Sequence, residues 1–259
     1  PMVELAGGKA VVIGTYARDN FALDFEALER AVTPRTKLLM LNYPSNPTGV
    51  TYRRDELERV AEFCGRHNLV AISDEVYGEL TYEGDHVCLA SLPGMWERTI
   101  LLSGFSKAFA MTGWRMGYAC GPKEYIDAIV KIHQYSMLSA PTLSQEAAIE
   151  ALKGGQDEVR RMVDSYRDRR NLFVKGLNEA GLKCHLPPGA FYAYPSIEGT
   201  GLDDPTFCRR LLEQERVAVV PGRAFGECGV GHVRCSYATS MEKLKIALER
   251  IGRFVNGIR

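Results

Sequence analysis

The sequence predicts an α/β protein: a mainly parallel sheet flanked by helices, followed by a smaller C-terminal α+β domain. Three observations carry this expectation. Short β-rich runs alternate with helix-period runs through the first half of the chain. Each chemically distinctive segment follows the end of an expected strand, where ligands sit in open α/β sheets. After Pro141 the texture changes to longer amphipathic helices mixed with separated strands.

Taken in order, residues 37–42 (Lys37-Leu38-Leu39-Met40-Leu41-Asn42) read as a buried strand. In the helix that follows, Leu57, Val60, Ala61 and Cys64 recur at helical spacing, while Arg53, Arg54, Glu58 and Arg66 face water. Residues 69–73, 99–103 and 118–120 continue the strand series. A helix is expected over 144–152, broken by Gly154-Gly155. A long amphipathic run to Ala180 comes next, with Val163, Tyr166, Arg170, Phe173, Val174 and Leu177 on one stripe. Strands then fall at 191–195, 217–220 and 232–237, and helices at 205–215 and 241–255. The expected division is a large domain over 1–155 and a small one over 156–259 that includes the interdomain helix.

Composition narrows the function classes. Lys plus Arg and Asp plus Glu are each 32, so the net charge is zero and no basic footprint for nucleic acid or an anionic membrane exists. The apolar runs fall far short of the ~20 residues that span a bilayer. Seven cysteines, an odd number without a CxxC pair or zinc-ligand spacing, argue for a reducing, cytoplasmic setting and against a metal site. A Cys228–Cys235 bridge is not expected. The N-terminus has neither an initiator Met nor the regions of a signal peptide, and reads as a cut.

Three segments carry chemistry: Asn42-Tyr43-Pro44-Ser45-Asn46-Pro47-Thr48-Gly49, Asp74-Glu75-Val76-Tyr77, and Ser103-Gly104-Phe105-Ser106-Lys107 running on to Gly113-Trp114-Arg115-Met116-Gly117. Read alone, each position has an ordinary alternative. A lone lysine is usually a solvated charge, an aspartate after a strand is often a helix cap, and Asn-Pro and Thr-Gly form turns anyway. Together, and in this order, they resemble the signature set of class I and II pyridoxal-phosphate-dependent aminotransferases of the aspartate aminotransferase fold type. The resemblance extends through Pro188-Gly189-Ala190-Phe191-Tyr192, Val220-Pro221-Gly222 and Val233-Arg234-Cys235-Ser236-Tyr237.

That resemblance implies an enzyme that moves an amino group between an L-amino acid (aspartate, aromatic or alanine-like) and a 2-oxo acid such as 2-oxoglutarate. It implies pyridoxal 5'-phosphate as cofactor, joined to Lys107 as a Schiff base, which requires the neutral amine. Asp74 is implied to bind the pyridine nitrogen and keep the ring electron-accepting. Tyr77 and Asn46 are implied at the ring oxygen, Arg115 and more weakly Ser106 at the phosphate, and Asn46 and Arg234 at the substrate carboxylate. Part of the family has Ser three places before the lysine; here it is Gly104, and Ser103 is the alternative donor. Tyr192 fits either a pocket wall or core packing, Trp114 is expected to pack, Glu75 and Val76 are taken as packing or surface residues, and the five histidines receive no role.

The resemblance further implies a homodimer and a family member truncated at its N-terminus, without the Gly-rich phosphate loop, the ring-stacking aromatic and the segment that crosses the dimer. Such a chain alone is expected to bind cofactor weakly. Two rivals use the same residues: a pyridoxal-phosphate-dependent carbon-sulfur lyase, and the non-catalytic aminotransferase-like sensing domain of a transcription regulator.

Overall fold

The computed structural model describes residues 1–258. The chain divides into two compact units, Pro1–Thr36 and Lys37–Arg259. The first contains α1 (Met2–Leu5), a 3-10 turn at Ala17–Asp19 and α2 (Phe25–Ala31), whose first turn is closed by Asp24 accepting from the Ala27 amide at 2.9 Å.

In the second unit, β1 (Leu38–Asn42) leads into α3 (Arg54–Arg66) and β2 (Val70–Asp74). Leu57, Val60, Phe63 and Cys64 form the buried stripe of α3, and the Glu56 carboxylate accepts from the Arg53 amide at 2.9 Å to start it. β3 (Thr99–Gly104) runs directly into the short α4 (Phe105–Ala108), and β4 (Gly117–Cys120) follows. The sheet order is β1-β2-β3-β4, with the first three parallel and β4 antiparallel to β3. Asn42 lies opposite Asp74, and Asp74 opposite Leu102, so three site-bearing loops leave the same sheet edge.

Gly104 faces Gly117 where β3 meets β4. A Cβ at 104 would sit 2.9 Å from Gly117 Cα and 3.0 Å from the Met116 carbonyl. The departure from Ser noted in the sequence therefore has a packing consequence: without a shift in β4 this crossing admits no side chain at 104.

Beyond β4 come α5 (Lys123–Ser136), α6 (Thr142–Gly154) and the long α7 (Gln156–Glu179). α7 buries Arg170, Phe173, Val174 and Leu177, the stripe expected from its periodicity. β5 (Tyr192–Ala193), α8 (Asp204–Glu215), β6 (Val220–Pro221), β7 (Val233–Ser236) and α9 (Met241–Ile258) complete the unit, with sheet order β5-β7-β6, all antiparallel. Its core joins Phe173, Leu177, Phe207, Val233, Ile251 and Phe254. The expected division after residue 155 falls between α6 and α7.

α5 is not among the elements read from the sequence. Pro122 ahead of it and Ile126, Ile129, Val130 and His133 at helical spacing were the available signal. No helix of the described residues is long and apolar enough to cross a membrane. All seven cysteines are free, and no group of three or more His, Cys, Asp or Glu side chains among the described residues is placed to hold a metal.

Candidate active site

Lys107 sits on α4, one short step past the end of β3, and its side chain is half-buried. The Nζ lies 5.8 Å from the Tyr77 ring centroid and 5.6 Å from that of Phe191. No carboxylate among the described residues makes an ion pair with it, and two ring faces are its aromatic neighbours.

Tyr77 is buried, and its hydroxyl is 2.8 Å from that of Tyr192. Burial first, then the bond to Tyr192, hold the Tyr77 phenol well above its ordinary pKa, so it stays a protonated donor. Tyr192 is also buried, and Arg234 lies 4.7 Å over its ring and 5.0 Å over that of Phe225. Arg234 Nη1 donates to Asn46 Oδ1 at 2.8 Å, a bond between residues 188 apart in sequence. Arg234 Nε is buried with no hydrogen-bond partner. Lys107, Tyr77, Tyr192, Arg234 and Asn46 thus form one continuous set of contacts.

Asp74 ends β2 half-buried, with Oδ1 accepting from the Val76 amide at 3.2 Å. Burial raises its carboxyl pKa, a cost that a cationic N–H partner would offset. Its carbonyl accepts from the Tyr43 amide at 3.1 Å and from Asn42 Nδ2 at 3.2 Å, while Asn42 Oδ1 accepts from the Asn46 amide at 2.9 Å. Asn42 therefore ties the Asn46 loop to the strand end that bears Asp74. The Tyr43–Pro44 and Asn46–Pro47 bonds within that loop are cis.

Ser106 and Arg115 form a second, local group. The Arg115 guanidinium donates to the Thr112 carbonyl at 2.8 Å, and Thr112 Oγ1 donates to the Ser106 carbonyl at 2.9 Å. Arg115 is exposed and adopts φ 53°, a left-handed conformation uncommon outside glycine. Among the described residues no hydrogen bond or ring contact joins this pair to the Tyr77–Arg234 set, and Ser106 and Lys107 are adjacent in the chain. Trp114, expected to pack, is instead 47% exposed, because the turn that carries it lies at the surface.

Sequence reasoning missed Glu75. It was assigned to packing or surface, yet it is 5% exposed and its carboxylate is fully engaged by hydrogen bonds. The signal available was alternation: Ser73 and Glu75 share the face of β2 opposite Asp74. Phe191 and Phe225, which wall Lys107 and Arg234, were also not singled out as site residues.

The sequence model of the family aminotransferase class I and II matches residues 1–251. The chain belongs to the class I and II aminotransferases. It is 53% identical over 258 residues to the Bacillus subtilis aminotransferase YugH, spanning 98% of this chain and 66% of that protein. It is 46% identical to an aspartate aminotransferase of Pyrococcus abyssi, over 97% of this chain and 65% of that one. Among solved structures, the aromatic aminotransferase of Pyrococcus horikoshii superposes with a TM-score of 0.96 at 46% identity, across 98% of this chain and 69% of that chain. The chain therefore has the aminotransferase fold and spans about two thirds of the length of the curated relatives it matches.

Proposed function

We propose that this chain carries the catalytic lysine and the substrate-carboxylate clamp of an enzyme that transfers an amino group between an L-amino acid and a 2-oxo acid with pyridoxal 5'-phosphate. The observation that carries the reading is the arrangement of Lys107 against Tyr77, with Tyr192, Arg234 and Asn46 continuing from it.

The donor set suits that cofactor. It offers an amine without a carboxylate partner, a half-buried carboxylate with one backbone donor, and a phenol held protonated. Lys107, Asp74, Tyr77 and Asn46 would hold the cofactor, with Arg115 and Ser106 toward its phosphate. When bound, it supplies an electron-accepting ring that stabilises charge at the substrate α-carbon.

The chain's own groups do the remaining work. Arg234 binds the α-carboxylate of amino acid or oxo acid through its remaining terminal N–H donors, while Asn46 holds the guanidinium in place. The Tyr192 and Phe225 rings fix the plane of that guanidinium and exclude water from one side. Lys107, as the neutral amine, moves a proton to and from the substrate α-carbon. Asp74 would be the carboxylate partner of the ring nitrogen, whose positive charge would offset the cost of burying it.

The homodimer reading is supported by a run of exposed apolar side chains along and after α5, including Ile132 at 71%, Tyr135 at 89% and Leu138 at 82% exposure. The odd set of seven cysteines, without a CxxC pair, supports a cytoplasmic setting. Incubation of cofactor-loaded protein with aspartate or phenylalanine and 2-oxoglutarate tests the activity. Glutamate formation is the expected result; pyruvate from cystathionine without glutamate would favour a lyase.

A further inference from the structure

Glu75 lies behind the site, on the side of β2 away from Asp74. Its Oε1 accepts from Ser73 Oγ at 2.7 Å, Tyr43 hydroxyl at 2.9 Å and the Leu89 amide at 3.1 Å, and its Oε2 is 2.6 Å from His86 Nε2. The Tyr43 hydroxyl is also 3.1 Å from the Val87 carbonyl, and its ring lies 5.3 Å from that of His86. These donors come from three separate stretches of chain. Tyr43 opens the loop that carries Asn46. Ser73 belongs to the strand that carries Asp74. His86 and Leu89 belong to the segment that follows Tyr77.

Two further contacts tie Tyr77 to this point. The Glu75 carbonyl accepts from the Gly78 amide at 2.9 Å, closing the turn in which Tyr77 stands. A Cβ at Gly78 would come within 3.0 Å of His86 Cδ2 and Nε2, so that turn rests directly on the imidazole.

We propose that Glu75, with His86, is a positioning residue: its carboxylate is an acceptor shared by the Asn46, Asp74 and Tyr77 segments, and it adds to the Tyr43–Asp74 and Tyr43–Val87 bonds that join them in pairs. The role of those three residues at the cofactor rests on the reading above; the mechanical coupling does not. One buried acceptor serving three segments transmits a disturbance in any of them to the others: Ser73 Oγ and His86 Nε2 bond Glu75, and the Tyr43 hydroxyl and Leu89 amide, which also bond each other, as the hydroxyl does the Val87 carbonyl, meet at the same carboxylate.

Two measurements on the purified chain test this separately. In hydrogen exchange read by mass spectrometry, Glu75→Leu should speed exchange about tenfold or more across both 43–50 and 76–89 while leaving 233–255 unchanged. In an absorbance titration with pyridoxal phosphate, the same variant should weaken binding about tenfold, and Glu75→Gln, whose amide oxygen still accepts, should recover most of both effects. Where Glu75→Leu does not fold, Ser73→Ala removes one donor to Glu75 only and should loosen 43–50 together with 86–89. Faster exchange confined to the mutated segment, or spread evenly over the chain, overturns the proposal. So does unchanged cofactor affinity in a variant whose two segments have loosened. If the parent chain binds no pyridoxal phosphate, the cofactor reading fails and the exchange pattern alone decides the coupling.

Discussion

Arg234 is held between two rings with Nη1 bonded to Asn46, and its remaining terminal N–H donors suit it to one more anion. Arg234→Ala should raise the Michaelis constant for both amino acid and oxo acid about ten- to a hundredfold, since charge-assisted hydrogen bonds contribute ~1.5–3 kcal/mol. Arg234→Lys should recover only part, because a point charge lacks the planar fork; steady-state kinetics measure both. The neighbours Asp74 and Glu75 titrate in opposite senses. Burial opposes the Glu75 charge, but bonds from His86 and Ser73, the His86 charge and the Leu89 amide outweigh it and hold its pKa below the ordinary 4.5. Its stabilising contribution is thus complete above about 4.5 and fades as pH falls through the lowered folded value. Among the titratable groups facing it are His86, Tyr43 and Cys88. The urea midpoint of the parent should exceed that of Glu75→Gln at pH 7, and the gap should shrink below pH ~4.5. Asp74, with a raised pKa, destabilises the fold when ionised, so Asp74→Asn should be no less stable than the parent at pH 7 while losing cofactor affinity.

At the scale of the element, the β3–α4–β4 unit decides where the lysine stands. Gly104 permits β3 and β4 to close on each other just ahead of Lys107. Gly104→Ser should lower stability by ~1–3 kcal/mol, read as a fall in the urea midpoint, because the added atoms meet backbone. Helices with one buried stripe were legible from periodicity, as in α7, where Arg170, Phe173, Val174 and Leu177 are the buried residues that spacing marked. The strands of the second sheet were legible only in place. The expected 191–195 and 217–220 shrink to Tyr192–Ala193 and Val220–Pro221, and Pro195 lacks the donor that a longer first strand needs. Glu75 was illegible for a different reason: its donors Tyr43, His86 and Leu89 converge only in three dimensions. The Asn46–Arg234 bond was likewise invisible to spacing, although both residues were marked separately for the same carboxylate.

For the whole molecule, residues scattered from Asn46 to Arg234 meet at one edge of a parallel sheet and one antiparallel sheet, which is why motifs spread along the chain make one candidate site. The exposed apolar run at α5 predicts self-association. Sedimentation velocity should show a dimer that a paired Ile132→Glu and Tyr135→Glu change returns to monomer, and an unaltered sedimentation coefficient would count against this face. The central claim concerns a single covalent attachment. Protein saturated with pyridoxal phosphate, reduced with borohydride, digested and sequenced by mass spectrometry should carry the pyridoxyl group on Lys107, and a Lys107→Ala variant should carry none at that site. A pyridoxyl group found only on other lysines, or on none, would contradict the account.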